Sequence, residues 1–129
     1  MEYHQSNMAK VLVVDDDATL AGLIKDVFEA HDVTVAPDGE TGLAMVRALL
    51  PDLVVLDIGL PKMDGVAVCR EIKRDPALRA KVKVMMLTGK GAMGDVEQAF
   101  GGRADDYMVK PFSPRVLLAR AEALLAKKS

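Results

Sequence analysis

A chain of 129 residues, half of them hydrophobic, has the length of one domain and enough apolar side chains for a real core. Its 17 Lys and Arg against 19 Asp and Glu leave a formal charge of −2, so it lacks the basic footprint of a nucleic-acid surface. A lone cysteine, Cys69, excludes a disulfide framework and fits a reducing, cytoplasmic setting; no apolar run reaches the roughly 18 residues of a membrane span.

Residues 1–8 are polar, lack the apolar stretch of a signal peptide and read as a flexible N-terminal tail. Beyond them, short β-branched runs alternate with longer amphipathic ones. The first strand is VLVV (11–14). Residues 18–30 set Leu20, Leu23, Ile24, Val27 and Phe28 in a helical stripe, with Asp17 as N-cap. A second strand covers 33–36. A second helix covers 38–50 and is ended by Pro51. The third strand, LVVLD (53–57), leads to a third helix over 65–75, with Pro76 after its end. A fourth strand spans 82–88 and a short fourth helix 94–100. The fifth strand, DYMVK (106–110), precedes a last helix over 114–127, with Ser113 as N-cap and Pro114 at its first position. That helix runs almost to the last residue, so the chain reads as a tail plus one domain over 9–127.

Five strands alternating with five helices argue for an α/β fold, a parallel sheet covered on both faces. Strands one, three and four are nearly continuous apolar runs, as buried parallel strands are. Ligands bind such sheets at the carboxyl ends of the strands. Those ends carry Asp15, Asp16 and Asp17 after strand one, Asp57 at strand three, Thr88 at strand four, and Lys110 at strand five.

Adjacent carboxylates repel one another and are costly to desolvate, so their convergence calls for a cation. Mg²⁺ takes oxygen ligands, commonly one or two carboxylates with waters and a phosphate. Lys110 adds positive charge and Thr88 a hydroxyl donor. The set suits phosphoryl transfer onto a carboxylate, with Asp57 as nucleophile. His4 and His31 have no partners at metal-ligand spacing.

VLVVDDD, LVVLDIGLPKMDG, MMLTG and DDYMVKPF, in this order over about residues 9–127, resemble the receiver domain of response regulators in two-component signal transduction. The resemblance implies a flavodoxin-like, doubly wound sheet of five parallel strands in the order 2-1-3-4-5. It implies that Asp57 accepts a phosphoryl group from a histidine kinase or phosphotransfer protein. Asp15 and Asp16, with Asp57 and the backbone carbonyl of Gly59, would hold Mg²⁺. Thr88 and Lys110 would contact the phosphoryl oxygens. Tyr107 would be the switch residue, turning inward as Thr88 is recruited, and the Lys110–Pro111 bond would be cis. The output face would be the 94–100 helix, strand five and the last helix. It would act on a downstream target protein or output domain, with a phosphorylation-dependent dimer as a further option and no direct contact with nucleic acid or membrane. The protein would then be no enzyme beyond its own phosphorylation and dephosphorylation.

The chain departs from the family pattern at three points, one of them Gly89, which stands where alanine is common. Arg103 stands where glycine is expected. The turn between the first helix and second strand lacks its usual glycine, with Asp32 taking the turn conformation instead. Five glycines, Gly89, Gly91, Gly94, Gly101 and Gly102, crowd the expected 94–100 helix and predict a mobile segment. Two other readings stay open. VVDDDAT also resembles the opening motif of Mg²⁺-dependent haloacid-dehalogenase-type phosphatases, with Asp15 as nucleophile, Asp17 as general acid and Thr19 following. That reading leaves Asp57 without a role. The third reading is an interaction module that keeps the fold without phosphorylation.

Overall fold

The computed structural model describes residues 8–89 and 103–127. Five strands, β1 (Lys10–Val14), β2 (Asp32–Ala36), β3 (Leu53–Asp57), β4 (Lys83–Thr88) and β5 (Asp106–Val109), form one sheet in the order β2-β1-β3-β4-β5. Every neighbouring pair is parallel. The described helices are α1 (Ala18–Val27), α2 (Gly39–Leu49), α3 (Gly65–Arg74), α4 (Pro76–Lys81) and α5 (Pro114–Ala126).

Each sheet face carries its own apolar layer. Leu12, Val14, Val54, Leu56, Val84 and Met86 point to one side, against Leu43 and Val46 of α2 and Val68, Cys69 and Ile72 of α3. Val11, Val13, Leu53, Val55, Met85 and Leu87 point to the other, against Ile24 and Phe28 near α1 and Leu117, Ala121 and Leu124 of α5. The strict alternation follows from the two-residue period of a strand. Because β3 has buried neighbours on both faces, all five of its residues are buried, Asp57 among them.

Helix starts follow the sequence closely. Asp17 Oδ1 accepts from the amides of Thr19 and Leu20, Asp38 from Thr41, Asp64 from Ala67 and Ser113 from Val116. One helix was not expected. Pro76 does not merely follow α3; it opens α4, with Asp75 Oδ1 accepting the Ala77 amide at 3.0 Å. Proline stops a helix from within but suits its first position, and an aspartate just before it is the cue for the second case.

Asp32 does not take a turn conformation. It is the first residue of β2, its amide donates to the Ala9 carbonyl, and the positive-φ non-glycine residues described are Leu50 and Lys62. The α1–β2 turn closes instead through the His31 amide on the Phe28 carbonyl, at 2.8 Å. The expected helix over 94–100, Lys90 and the crowded glycines from Gly91 to Gly102 lie outside the described residues, as does the tail up to residue 7.

Candidate functional site

The strand order reverses between β1 and β3, the kind of switch point at which such sheets bind ligands beyond the carboxyl ends of the strands. Val14 pairs with Leu56, so Asp15 emerges level with Asp57. Thr88 pairs with Val109, so Lys110 emerges beside them. One carboxylate oxygen from each of Asp15, Asp16 and Asp57 lies within 4.8 Å of the others. Lys110 Nζ donates to Asp57 Oδ1 at 3.0 Å.

Asp15 is 2 % exposed and Asp57 8 %, whereas Asp16 faces solvent. Asp15 Oδ1 accepts the Asp17 amide, but its Oδ2 is buried with no hydrogen-bond partner among the described residues. Burial pushes the Asp15 carboxyl above its usual range and the Asp57 charge adds to this, while the Asp17 amide and Lys110 act against it. A buried, orphaned carboxylate oxygen facing two further acids is the environment a hard divalent cation relieves, so the residues fit Mg²⁺. Asp17 stands apart: its carboxylate is engaged at the start of α1. The phosphatase reading needs that same carboxylate as its general acid.

Thr88 is 1 % exposed; its hydroxyl makes a long 3.4 Å contact to the Gly89 carbonyl, and its own carbonyl accepts the Lys110 amide at 2.8 Å. Gly59 is exposed on the loop after Asp57. Tyr107, on the edge strand, is buried in the layer shared with α2 and α3, so its ring already lies inward in this conformer. The Lys110–Pro111 bond is cis.

Three supports were not legible in advance. Lys73 of α3 donates to Asp105 Oδ2 at 2.7 Å, and that same oxygen accepts the Val84 amide. Asp52 joins β1 to α4, accepting the Lys10 amide and pairing with Lys81. Gly39, at the start of α2, lies against the loop that follows Asp57. All three are contacts between residues far apart in the chain, for which a single sequence carries no signal.

A doubly wound sheet with paired acids, a buried carboxylate, a hydroxyl and a lysine at its switch point is the arrangement of a receiver-type signalling domain. The chain belongs to the response regulator receiver domain family, whose model matches residues 11–122. It is 42 % identical over 122 residues to the DNA-binding dual master transcriptional regulator RpaA of Synechocystis, covering 93 % of this chain and 50 % of that protein. It is 44 % identical over 120 residues to the DNA-binding response regulator MtrA of Mycobacterium tuberculosis, covering 92 % and 51 %. Among solved structures, a putative response regulator from Chloroflexus aurantiacus superposes with a TM-score of 0.85 at 32 % identity, covering 93 % of this chain and 99 % of that one. The signal receiver domain of a histidine kinase from Syntrophus aciditrophicus gives 0.84 at 30 % identity, covering 94 % of each chain.

The chain thus spans about half the length of the curated relatives it matches. The expectation of no direct contact with nucleic acid finds no support in them, since both are named as DNA-binding. No described helix is long and apolar enough to cross a membrane.

Proposed function

We propose that the protein is a phosphorylation-activated receiver in which Asp57 accepts a phosphoryl group from the phosphohistidine of a kinase or phosphotransfer protein. The observation that carries this reading is the Asp57 carboxylate, buried at a strand end, 3.0 Å from Lys110 and grouped with Asp15 and Asp16. An Asp57 oxygen attacks phosphorus; the new O–P bond forms as the P–N bond to the donor histidine breaks with its electron pair on nitrogen, and a donor ring protonated at its other nitrogen departs as neutral imidazole. Asp15, Asp16, Asp57 and the Gly59 carbonyl would hold Mg²⁺, which neutralises charge on the phosphoryl oxygens.

Lys110 Nζ, 3.0 Å from Asp57 Oδ1, places positive charge beside the acceptor from the start. The Thr88 hydroxyl, whose 3.4 Å contact to the Gly89 carbonyl is long, turns readily toward a phosphoryl oxygen. That turn changes the packing at the β4–β5 edge. Tyr107, already inward, is then held there more firmly, and the surface of β5 and α5 is biased toward its active form. The output passes to a target protein or to an output domain.

The test is intact mass after incubation with Mg²⁺ and acetyl phosphate, with Asp57→Asn alongside. The expected result is one phosphoryl adduct that requires Mg²⁺ and is absent from the variant. An adduct that persists in Asp57→Asn moves the nucleophile to Asp15 and overturns the reading.

A further inference from the structure

The loop from Ile58 to Asp64 carries Gly59, and the fold holds it at two places by close approach to a glycine. At the far end, a Cβ on Gly65 would stand 2.3 Å from the Asp57 carbonyl oxygen, and the Gly65 amide donates to the Ile58 carbonyl at 2.9 Å. In the middle, a Cβ on Gly39 would stand 1.7 Å from the Met63 carbonyl oxygen and 2.7 Å from its carbon. The Gly39 amide donates to the Pro61 carbonyl at 3.4 Å. Neither glycine has a φ that requires glycine; what each provides is space for backbone against backbone.

The segment held against Gly39 is under strain. Lys62 has φ 68°, and the Met63 amide donates across it to the Pro61 carbonyl at 2.7 Å, closing a tight three-residue turn. At Gly59, by contrast, an added Cβ would meet no atom within 4 Å, so no packing against its α-carbon fixes this residue. Its carbonyl direction is therefore inherited from the braces on either side.

We infer that Gly39 is a positioning residue for the phosphoryl site. Its missing side chain lets the start of α2 seat the Pro61–Met63 turn, and the seated turn sets where the Gly59 carbonyl stands relative to Asp57. The inference rests on the receiver reading above for its chemical consequence, but the seating itself is a matter of backbone contact. It assigns to α2, which carries none of the reacting groups, control over the loop that carries the Gly59 carbonyl.

The experiment compares Gly39→Ala with Gly42→Ala in the full chain. Gly42 lies on the same helix, but its Cβ would press on the Val14 methyls, 2.8 and 2.9 Å away, in the core instead of the loop. Gly39→Ala is expected to shift the backbone amide resonances of Ile58, Gly59 and Gly65 and to weaken Mg²⁺ binding roughly tenfold, as loss of a support behind a ligand does. Gly42→Ala is expected to lower the urea midpoint while leaving Mg²⁺ affinity near that of the unmodified chain. Unmoved amides and unchanged Mg²⁺ affinity in a folded Gly39→Ala protein would overturn the inference. Should Gly39→Ala not fold, Lys62→Pro unseats the turn from the solvent side, since proline cannot adopt a positive φ; intact Mg²⁺ affinity there overturns it equally. If the unmodified chain takes neither Mg²⁺ nor phosphoryl group, the receiver reading fails by itself, and the amide shifts still decide whether Gly39 seats the loop.

Discussion

The Lys73 ammonium lies 2.7 Å from the Asp105 carboxylate, with only 9 % of the lysine side chain exposed, and it also reaches the Val82 carbonyl at 3.3 Å. The same Asp105 oxygen accepts the Val84 amide, and the Asp105 amide donates to the Val84 carbonyl. One aspartate thus joins α3 to β4 where β5 begins, upstream of Tyr107 and Lys110.

Removing the lysine leaves this carboxylate short of its charge partner in a largely dry setting. Lys73→Met is expected to cost about 2 kcal/mol, below the range for fully buried pairs because Asp105 is partly exposed. Urea unfolding gives the number; a loss within ~0.5 kcal/mol would show the pair to be no more than a surface contact.

Gly22 lies inside α1, and a Cβ there would meet nothing within 4 Å. Gly22→Ala is expected to stabilise the protein by about 0.5–1 kcal/mol, raising the thermal midpoint by about 3 °C. A lowered midpoint would mean that this helix position is less open than its surroundings indicate.

Asp38 caps α2, and the Thr41 amide, 2.7 Å from Oδ1, holds its carboxyl below the usual 3.8, with Thr41's hydroxyl and Lys62 acting in the same direction. A carboxyl lowered in the folded state contributes stability that is complete above the unfolded value. That contribution is lost as pH falls through the folded value, here below 3.8. Urea midpoints followed from about pH 6 to about pH 2 should fall less steeply in Asp38→Asn than in the unmodified chain. Parallel curves would remove Asp38 from the acid response.

Cys69 is fully buried on α3, and burial pushes its thiol up to about 11. At neutral pH it is a thiol, not the reactive thiolate. Thiol reagents are expected to modify it only as fast as the protein opens, and at once in denaturant. Rapid labelling of the folded chain would contradict its place in the core.

The fold was legible because its cues are local. Apolar runs of strand length, helical stripes and capping residues each occupy a few consecutive positions, and their strict alternation admits little besides a parallel sheet. Where a local cue served two purposes the reading slipped. Pro76 has the look of a helix stop but opens α4, and the α1–β2 turn closes without the conformation expected of Asp32.

The candidate acids, hydroxyl and lysine were legible for a second reason: parallel strands all end on one edge, so naming the strands names the neighbours. What the sequence determined by itself was therefore the order of elements and the chemical content of one edge. The tertiary structure alone decided which groups are buried or paired there: Asp15 Oδ2 orphaned, Asp17 drawn off to cap α1, Lys110 on Asp57, Tyr107 inward. It alone decided that Gly39 supports the loop beyond Asp57 and that Lys73 reaches Asp105. These contacts join residues brought together by packing, and their energies depend on distances of a few tenths of an ångström. Neither periodicity nor spacing along a chain encodes such distances.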